Sequence, residues 1–150
     1  MKARLIPLLG AVALLIGCAS TRLATADQDR AAKAFSVKEN HSSIYIARKN
    51  ERFGQQTEFK LKVDNVDYGE LAPGTYQLIR VGPGTHKVEV KAALQAAAIV
   101  LNAIPNKNYF YSVGAKEGES IVRPEINLVL LESMGKLMIS QSKRAEVVED

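Results

Sequence analysis

Glu58-Phe59-Lys60-Leu61-Lys62-Val63-Asp64 decides the fold. Phe59, Leu61 and Val63 alternate with charged neighbours, and the same period of two returns in Lys87-Val88-Glu89-Val90-Lys91. An extended chain sends successive side chains to opposite faces, so both stretches predict half-buried strands. Their charged outer faces suit antiparallel sheets wet on one side. Between them, Pro73-Gly74-Thr75-Tyr76-Gln77-Leu78 is echoed ten residues later by Pro83-Gly84-Thr85-His86-Lys87-Val88. Each copy reads as a turn feeding a strand, with proline setting the first dihedral and glycine taking the positive one. Asp64-Asn65-Val66-Asp67 and Tyr68-Gly69 offer another turn, so residues 58–92 predict a meander. Two copies at so short a spacing do not make a solenoid.

Working outward, Ile44 and Ile46 alternate with Ser43, Tyr45 and Ala47, which predicts a further half-buried strand. Leu94 to Leu101 is nearly continuous Ala, Ile, Val and Leu, and periodicity does not decide between a buried strand and a short helix. After the turn Asn106-Lys107-Asn108, the aromatic and branched residues Tyr109, Phe110, Tyr111 and Val113 suit a pleated strand. Tyr109 and Tyr111 share one face and Phe110 takes the other. Core packing is the expectation there, with a rim platform for glycan or peptide as the alternative. Gly114 to Glu119 reads as a polar loop, Ile126 to Leu131 as a strand, and Glu132 to Lys143 as a closing helix with Glu132 and Lys136 one turn apart.

The amino terminus carries a different signal. Lys2 and Arg4 precede an apolar run from Leu5 to Ile16, and Leu15-Ile16-Gly17-Cys18 closes it. A cationic start, an apolar segment and a small residue before a cysteine are the parts of a bacterial lipoprotein export signal. Cleavage needs small Gly17 before the cut, and thioether attachment of diacylglycerol needs the Cys18 thiol after it. The alternatives are a plain signal peptide or a single membrane helix, but twelve residues with Pro7 inside fall short of the ~20 needed to span a bilayer core. Three acyl chains would bury on the order of forty methylenes at ~0.8 kcal/mol each, making release negligible. Residues 1–17 are therefore read as a cleaved signal peptide, 18–34 as a flexible tether, 35–144 as the domain and 145–150 as a frayed tail. The tether contains one large apolar residue, Leu23, and a coil of that length spans roughly 20 to 25 Å. A fraying helix over Asp27 to Phe35 is the alternative.

Loss of the signal removes Lys2 and Arg4, leaving 18 basic against 16 acidic residues, formal charge +2. That near-balance gives little support for nucleic-acid binding, which usually shows a concentrated basic face, and no nucleic-acid partner is expected. Cys18 is the single cysteine, so no disulfide within the chain and no cysteine cluster for a metal is available. The expectation is a protein without metal or other cofactor.

No catalytic constellation emerges: no Gly-x-Ser-x-Gly elbow, no phosphate-binding glycine loop and no His-Glu-x-x-His. His86, after the second Pro-Gly turn, is either a ligand or acid–base group or a residue packed at a strand start. His41, amid polar neighbours, is expected in solvent. Asp64 and Asp67 could flank a cation with the Asn65 carbonyl, but such residues more often cap turns. Arg48, Lys49, Arg52 and Arg80 make either a basic patch near anionic lipid or a solvated surface. Residues 48–57 form the longest polar loop and hold an isolated aromatic, which marks Arg48, Arg52 and Phe53 as a candidate binding loop.

The lipobox, Ala34-Phe35, Ile44-Tyr45-Ile46-Ala47-Arg48, Val63-Asp64-Asn65, Gly69-Glu70-Leu71, Gly74-Thr75-Tyr76, Pro83-Gly84-Thr85-His86 and Asn108-Tyr109-Phe110-Tyr111 together resemble a group of small bacterial lipoproteins, the domain of unknown function 2846 family. The resemblance covers about residues 33 to 142. The chain departs from the pattern at Ala47, at Asn65 where glycine is usual, and at Phe110. The resemblance implies an immunoglobulin-like or transthyretin-like antiparallel β-sandwich with a short C-terminal helix, a fold that carries no activity by itself. Ala19 after Cys18, by resemblance to enterobacterial lipoproteins, implies passage to the outer membrane, facing the periplasm.

These readings lead to three expectations. The first is a non-enzymatic envelope lipoprotein, anchored in the membrane through its acyl chains and binding an envelope protein or glycan. The second is a structural accessory of an envelope machine such as a secretion apparatus. The third is an envelope hydrolase.

Overall fold

The computed structural model describes residues 21–116 and 121–146. Among them the chain forms α1 (Ala26–Ala32), β1 (Ser42–Arg48), β2 (Phe59–Val63), β3 (Val66–Glu70), β4 (Thr75–Val81), β5 (Gly84–Ala92), β6 (Gln95–Ala103), β7 (Asn108–Lys116), β8 (Arg123–Leu128), α2 (Glu132–Ser140) and β9 (Lys143–Arg144). The strands make two sheets, ordered β8-β7-β1-β4-β9 and β3-β2-β5-β6. This is the mainly β sandwich expected. The second sheet is antiparallel throughout, whereas the first is mixed, because β1 pairs parallel with β7 and β4 parallel with β9.

Sheet-on-sheet contact buries Ile44, Ile46, Phe59, Leu61, Val88 and Val90 in the main core. A second core lies on the outer face of the first sheet, where Ala32 of α1 and Ile139 of α2 cover Tyr45, Tyr76, Leu78 and Phe110. Two covered faces explain why every residue of β1 is buried, in contrast to the half-buried strand expected. β2 keeps the expected alternation because its outer face has no helix above it. Gly135 of α2 is a close approach: a Cβ there would stand 2.3 Å from Phe110 Cγ.

Residues 95–101 resolve as strand, with Leu94 in the turn before it. β6 pairs with β5 along a nine-residue register from Gly84↔Ala103 to Ala92↔Gln95, and that ladder overrides the helical preference of its alanines. The Asp64-Asn65 hairpin has both residues at positive φ, 51° and 68°, as a tight two-residue connection requires. β8 begins earlier than expected, at Arg123, and ends at Leu128.

The tether and tail expectations need correction. Leu23 bridges Ala145, with Ala24 N–H donating to the Arg144 carbonyl (3.0 Å) and Glu146 N–H to that of Arg22 (2.8 Å). Ala145 is fully buried, so the ordered domain includes residues 22–34 and 145–146. Thr25 caps α1 through a reciprocal box with Gln28. The Tyr76 hydroxyl donates to Asp29 Oδ1 at 2.8 Å, and Lys33 Nζ reaches both Asp29 and the Ser142 carbonyl. A sparse apolar composition hid this docking because backbone and polar bonds carry it.

The starts of β1 and β7 and the finish of β4 lie at one end of the sandwich, the proximal end. Loops 49–58 and 71–74 and the β5–β6 hairpin lie at the other, distal end.

Candidate functional site

The distal end holds the candidate binding loop, and β1 delivers Arg48 to its base. Arg48 is 4% exposed: Nη1 donates to the Leu71 carbonyl at 2.8 Å, Nη2 to that of Gly54 at 2.7 Å, and the guanidinium lies 3.9 Å from the Phe59 ring centroid. Burial pulls its pKa below the ordinary value, against the opposing fields of Glu70 and Glu51. Such a planar, buried cation with both terminal nitrogens bonded to loop carbonyls organises a loop rather than receives a ligand. The sequence-based view of Arg48 as a surface recognition residue is therefore corrected: it clamps the loop from inside.

Gly54 shows why the clamp fits. Its φ is 71°, and a Cβ there would lie 2.8 Å from Ala115 Cβ, so the backbone passes directly over β7. Turns from Gln55 N–H to the Arg52 carbonyl and from Thr57 N–H to that of Gly54 finish the loop. Arg52 is exposed and Phe53 half-buried. Beside them Thr57, Glu58, Lys60, Lys91 and Ala93 line a shallow concavity of about 340 Å³. Leu94, 90% exposed, tips the adjacent hairpin. This end can offer a partner the exposed cations Lys49, Arg52, Lys60 and Lys91, the apolar Leu94 and Phe53, and a polar shelf.

His86 sits at the proximal end with both ring nitrogens engaged by acceptors: Nδ1–H donates to Asp64 Oδ2 (2.6 Å) and Nε2–H to the Gly82 carbonyl (2.9 Å). Two donors define the imidazolium form. The Asp64 bond, reinforced by the Gly82 carbonyl, raises the His86 pKa against the opposing effect of burial. The bond from His86, then that from the Lys87 N–H, holds the Asp64 carboxyl below its usual range. The pair ties the β2–β3 hairpin to the β4–β5 turn, with both His86 ring nitrogens taken up by contacts within the chain. Asp67 accepts the Gly69 N–H at 2.8 Å, so both aspartates cap turns. Among the described residues no group of three or more His, Cys, Asp or Glu side chains converges as metal ligands. His41 Nδ1–H donates to the Glu39 carbonyl.

The aromatic strand packs on both faces. Tyr109 and Tyr111 enter the main core, and Phe110 stacks on Tyr45 with centroids 5.1 Å apart in the second. Arg80 is exposed on β4 near the proximal end, opposite in register to Ser43, while Lys49 and Arg52 lie at the distal end. The four basic residues therefore do not form one patch. Sequence reasoning missed Asp29, whose carboxyl burial works to raise in pKa but which bonds from Lys33, Tyr76 and the Arg144 N–H lower overall. Thr25-x-x-Gln28 was the legible sign that a helix starts there. Gly17 and Cys18, where cleavage and acylation are expected, lie outside the described residues. No helix among the described residues is long and apolar enough to cross a membrane.

Three comparisons bear on identity. A relative from Haemophilus influenzae, described as an uncharacterized protein, is 27% identical over 139 residues, covering 92% of this chain and 82% of that protein. No solved structure matches the chain. The family profile Protein of unknown function (DUF2846) matches residues 38–124, from the loop before β1 into β8 and thus across more than half of the sequence, and the chain belongs to that family.

Proposed function

We propose that this protein is a lipid-anchored, non-enzymatic interaction module of the bacterial envelope, held at the outer membrane through Cys18 and presenting its distal loops to an envelope protein or glycan in the periplasm. The observation that carries the reading is Leu15-Ile16-Gly17-Cys18 lying immediately before a domain whose first pairing is at Arg22. An anchor at that position leaves the distal loops facing away from the bilayer. The Arg48 clamp supports a recognition role, because a loop fixed from within loses little entropy on binding.

The accessory reading, in which the protein seats a larger envelope machine, draws on α2, where Met134 and Leu137 are each at least half exposed on one flank. Affinity purification of the acylated protein in mild detergent separates the two. A stoichiometric partner lost with Met134→Glu/Leu137→Glu favours the accessory. A partner lost with Arg52→Glu/Leu94→Glu favours distal recognition.

The anchor is tested by metabolic palmitate labelling. Wild-type protein incorporates label and Cys18→Ser accumulates as unlabelled precursor. Normal labelling of Cys18→Ser contradicts the proposal.

A further inference from the structure

The direction in which the chain comes into the fold has a consequence for how it meets a membrane. β9 runs parallel to β4, with Thr75↔Lys143 and Tyr76↔Arg144, and residues 22–24 run antiparallel to residues 144–146. Arg22, opposite Glu146, is thus level with Leu78, and the backbone from Ala24 back to Arg22 runs in the direction of Val81 and the proximal end. From Leu78 to Val81 is three residues, about 10 Å of strand. Cys18 lies four residues before Arg22, a reach of at most about 14 Å. The two lengths nearly cancel. A lipid on Cys18 brings the proximal end to the headgroups.

That end is built for such a neighbour. The loop before β1 is joined to the β6–β7 loop by the Asn40 N–H donating to Asn106 Oδ1, and the chain leaving β8 joins them where Val129 N–H donates to the Phe110 carbonyl. These loops expose Val37 (39%), Ile104 (57%), Leu130 (85%) and Leu131 (66%). Lys38, Arg80 and Lys107 are exposed around them. The acids there are Glu39, Asp64, Asp67 and Glu132, of which Asp64 is bonded to His86, Asp67 accepts the Gly69 N–H and Glu132 is bonded to Lys136 Nζ at 2.7 Å. Apolar side chains ringed by cations suit the boundary between acyl chains and anionic headgroups.

We infer that the proximal end is a membrane-docking face, with Val37, Ile104, Leu130 and Leu131 seated in the leaflet that holds the anchor and Lys38, Arg80 and Lys107 on its phosphates. The inference rests on the anchored reading above. It makes the protein a rigid pedestal whose distal loops stand one domain height above the bilayer.

Cys18 is the single cysteine and acylation consumes its thiol, so one engineered cysteine per variant can be labelled alone. Full-length acylated protein carrying Ile104→Cys, Leu130→Cys or, as the distal control, Leu94→Cys is labelled with an environment-sensitive fluorophore. Each is then reconstituted in phosphatidylethanolamine/phosphatidylglycerol vesicles. The expected result is blue-shifted emission quenched by doxyl lipid at positions 104 and 130, with the label at 94 quenched by aqueous iodide. Lys38→Gln, Arg80→Gln and Lys107→Gln should each weaken docking roughly fivefold, returning the 104 label toward water while the protein still floats with vesicles. Labels at 104 and 130 as wet as that at 94, on protein that floats, overturn docking and leave the anchor standing. Protein that does not float overturns both.

Discussion

The two ends of this sandwich are held by opposite means. At the distal end one buried cation, Arg48, reaches two loop carbonyls and a ring face, so a single side chain ties the polar loop to the 71–74 connection and to β2. At the proximal end many short bonds share the work: His86 to Asp64 and Gly82, Asn40 to Asn106, Asn108 to the Phe35 carbonyl. A concentrated clamp makes a surface that is ordered yet exposed, as recognition needs. A distributed net tolerates loss of any one bond, as a face pressed against another surface needs.

The largest effect should come from Gly135→Ala, on the α2 flank of the proximal half. Its new Cβ would stand 2.3 Å from Phe110 Cγ and 2.7 Å from Phe110 Cβ, so the ring or the helix must shift. A gain of about 1 kcal/mol in helix propensity is outweighed, and a net loss of ~3 kcal/mol is expected in urea unfolding. An unchanged midpoint would mean that α2 does not pack on Phe110.

Arg48→Met comes next. It keeps length and apolar contact but abandons the carbonyls of Leu71 and Gly54, at an expected cost of about 2 kcal/mol. The comparison sharpens in limited proteolysis, which should cut the variant after Arg52 well before any proximal site. Uniform loosening of both ends would break the contrast.

The smallest effect is a pH dependence at the proximal end. The His86 pKa is raised in the folded state, so its bond stabilises fully below the ordinary value of 6.5 and is lost as pH rises through the higher folded value. The Asp64 pKa is lowered, so its contribution is present above 3.8 and is lost as pH falls through the lower folded value. Asp64 is about half exposed, which screens the pair and keeps its effect small. Urea midpoints of His86→Asn should therefore differ from wild type most between these limits and converge with it at higher pH. Parallel curves across the range would show that the pair does not titrate as the geometry requires.

How far the sequence foretold this structure depended on what each residue touches. β2 and β5 were legible because one of their faces meets water, and charge marks that face. β1 was misjudged because helices cover its outer side, and Tyr45 and Ala47 carry no sign of which surface they pack against. β6 was undecided because its alanines take their conformation from the β5 ladder. Arg48 was read as a surface residue because charge ordinarily means solvent, and nothing local shows that Gly54 brings a carbonyl within reach. Residues 22–34 were read as tether because they dock through Asp29, Tyr76 and backbone bonds that no hydrophobic period records.

That docked segment separates a pedestal from a ball on a string. Residue-resolved hydrogen exchange on the acylated protein in vesicles tests it directly, through the Ala24, Ala145 and Glu146 amides that join the amino-terminal segment to the sheet. Protection approaching that of β1 and β4 amides is predicted. Exchange of all three at free-chain rates would contradict the account and restore a flexible tether.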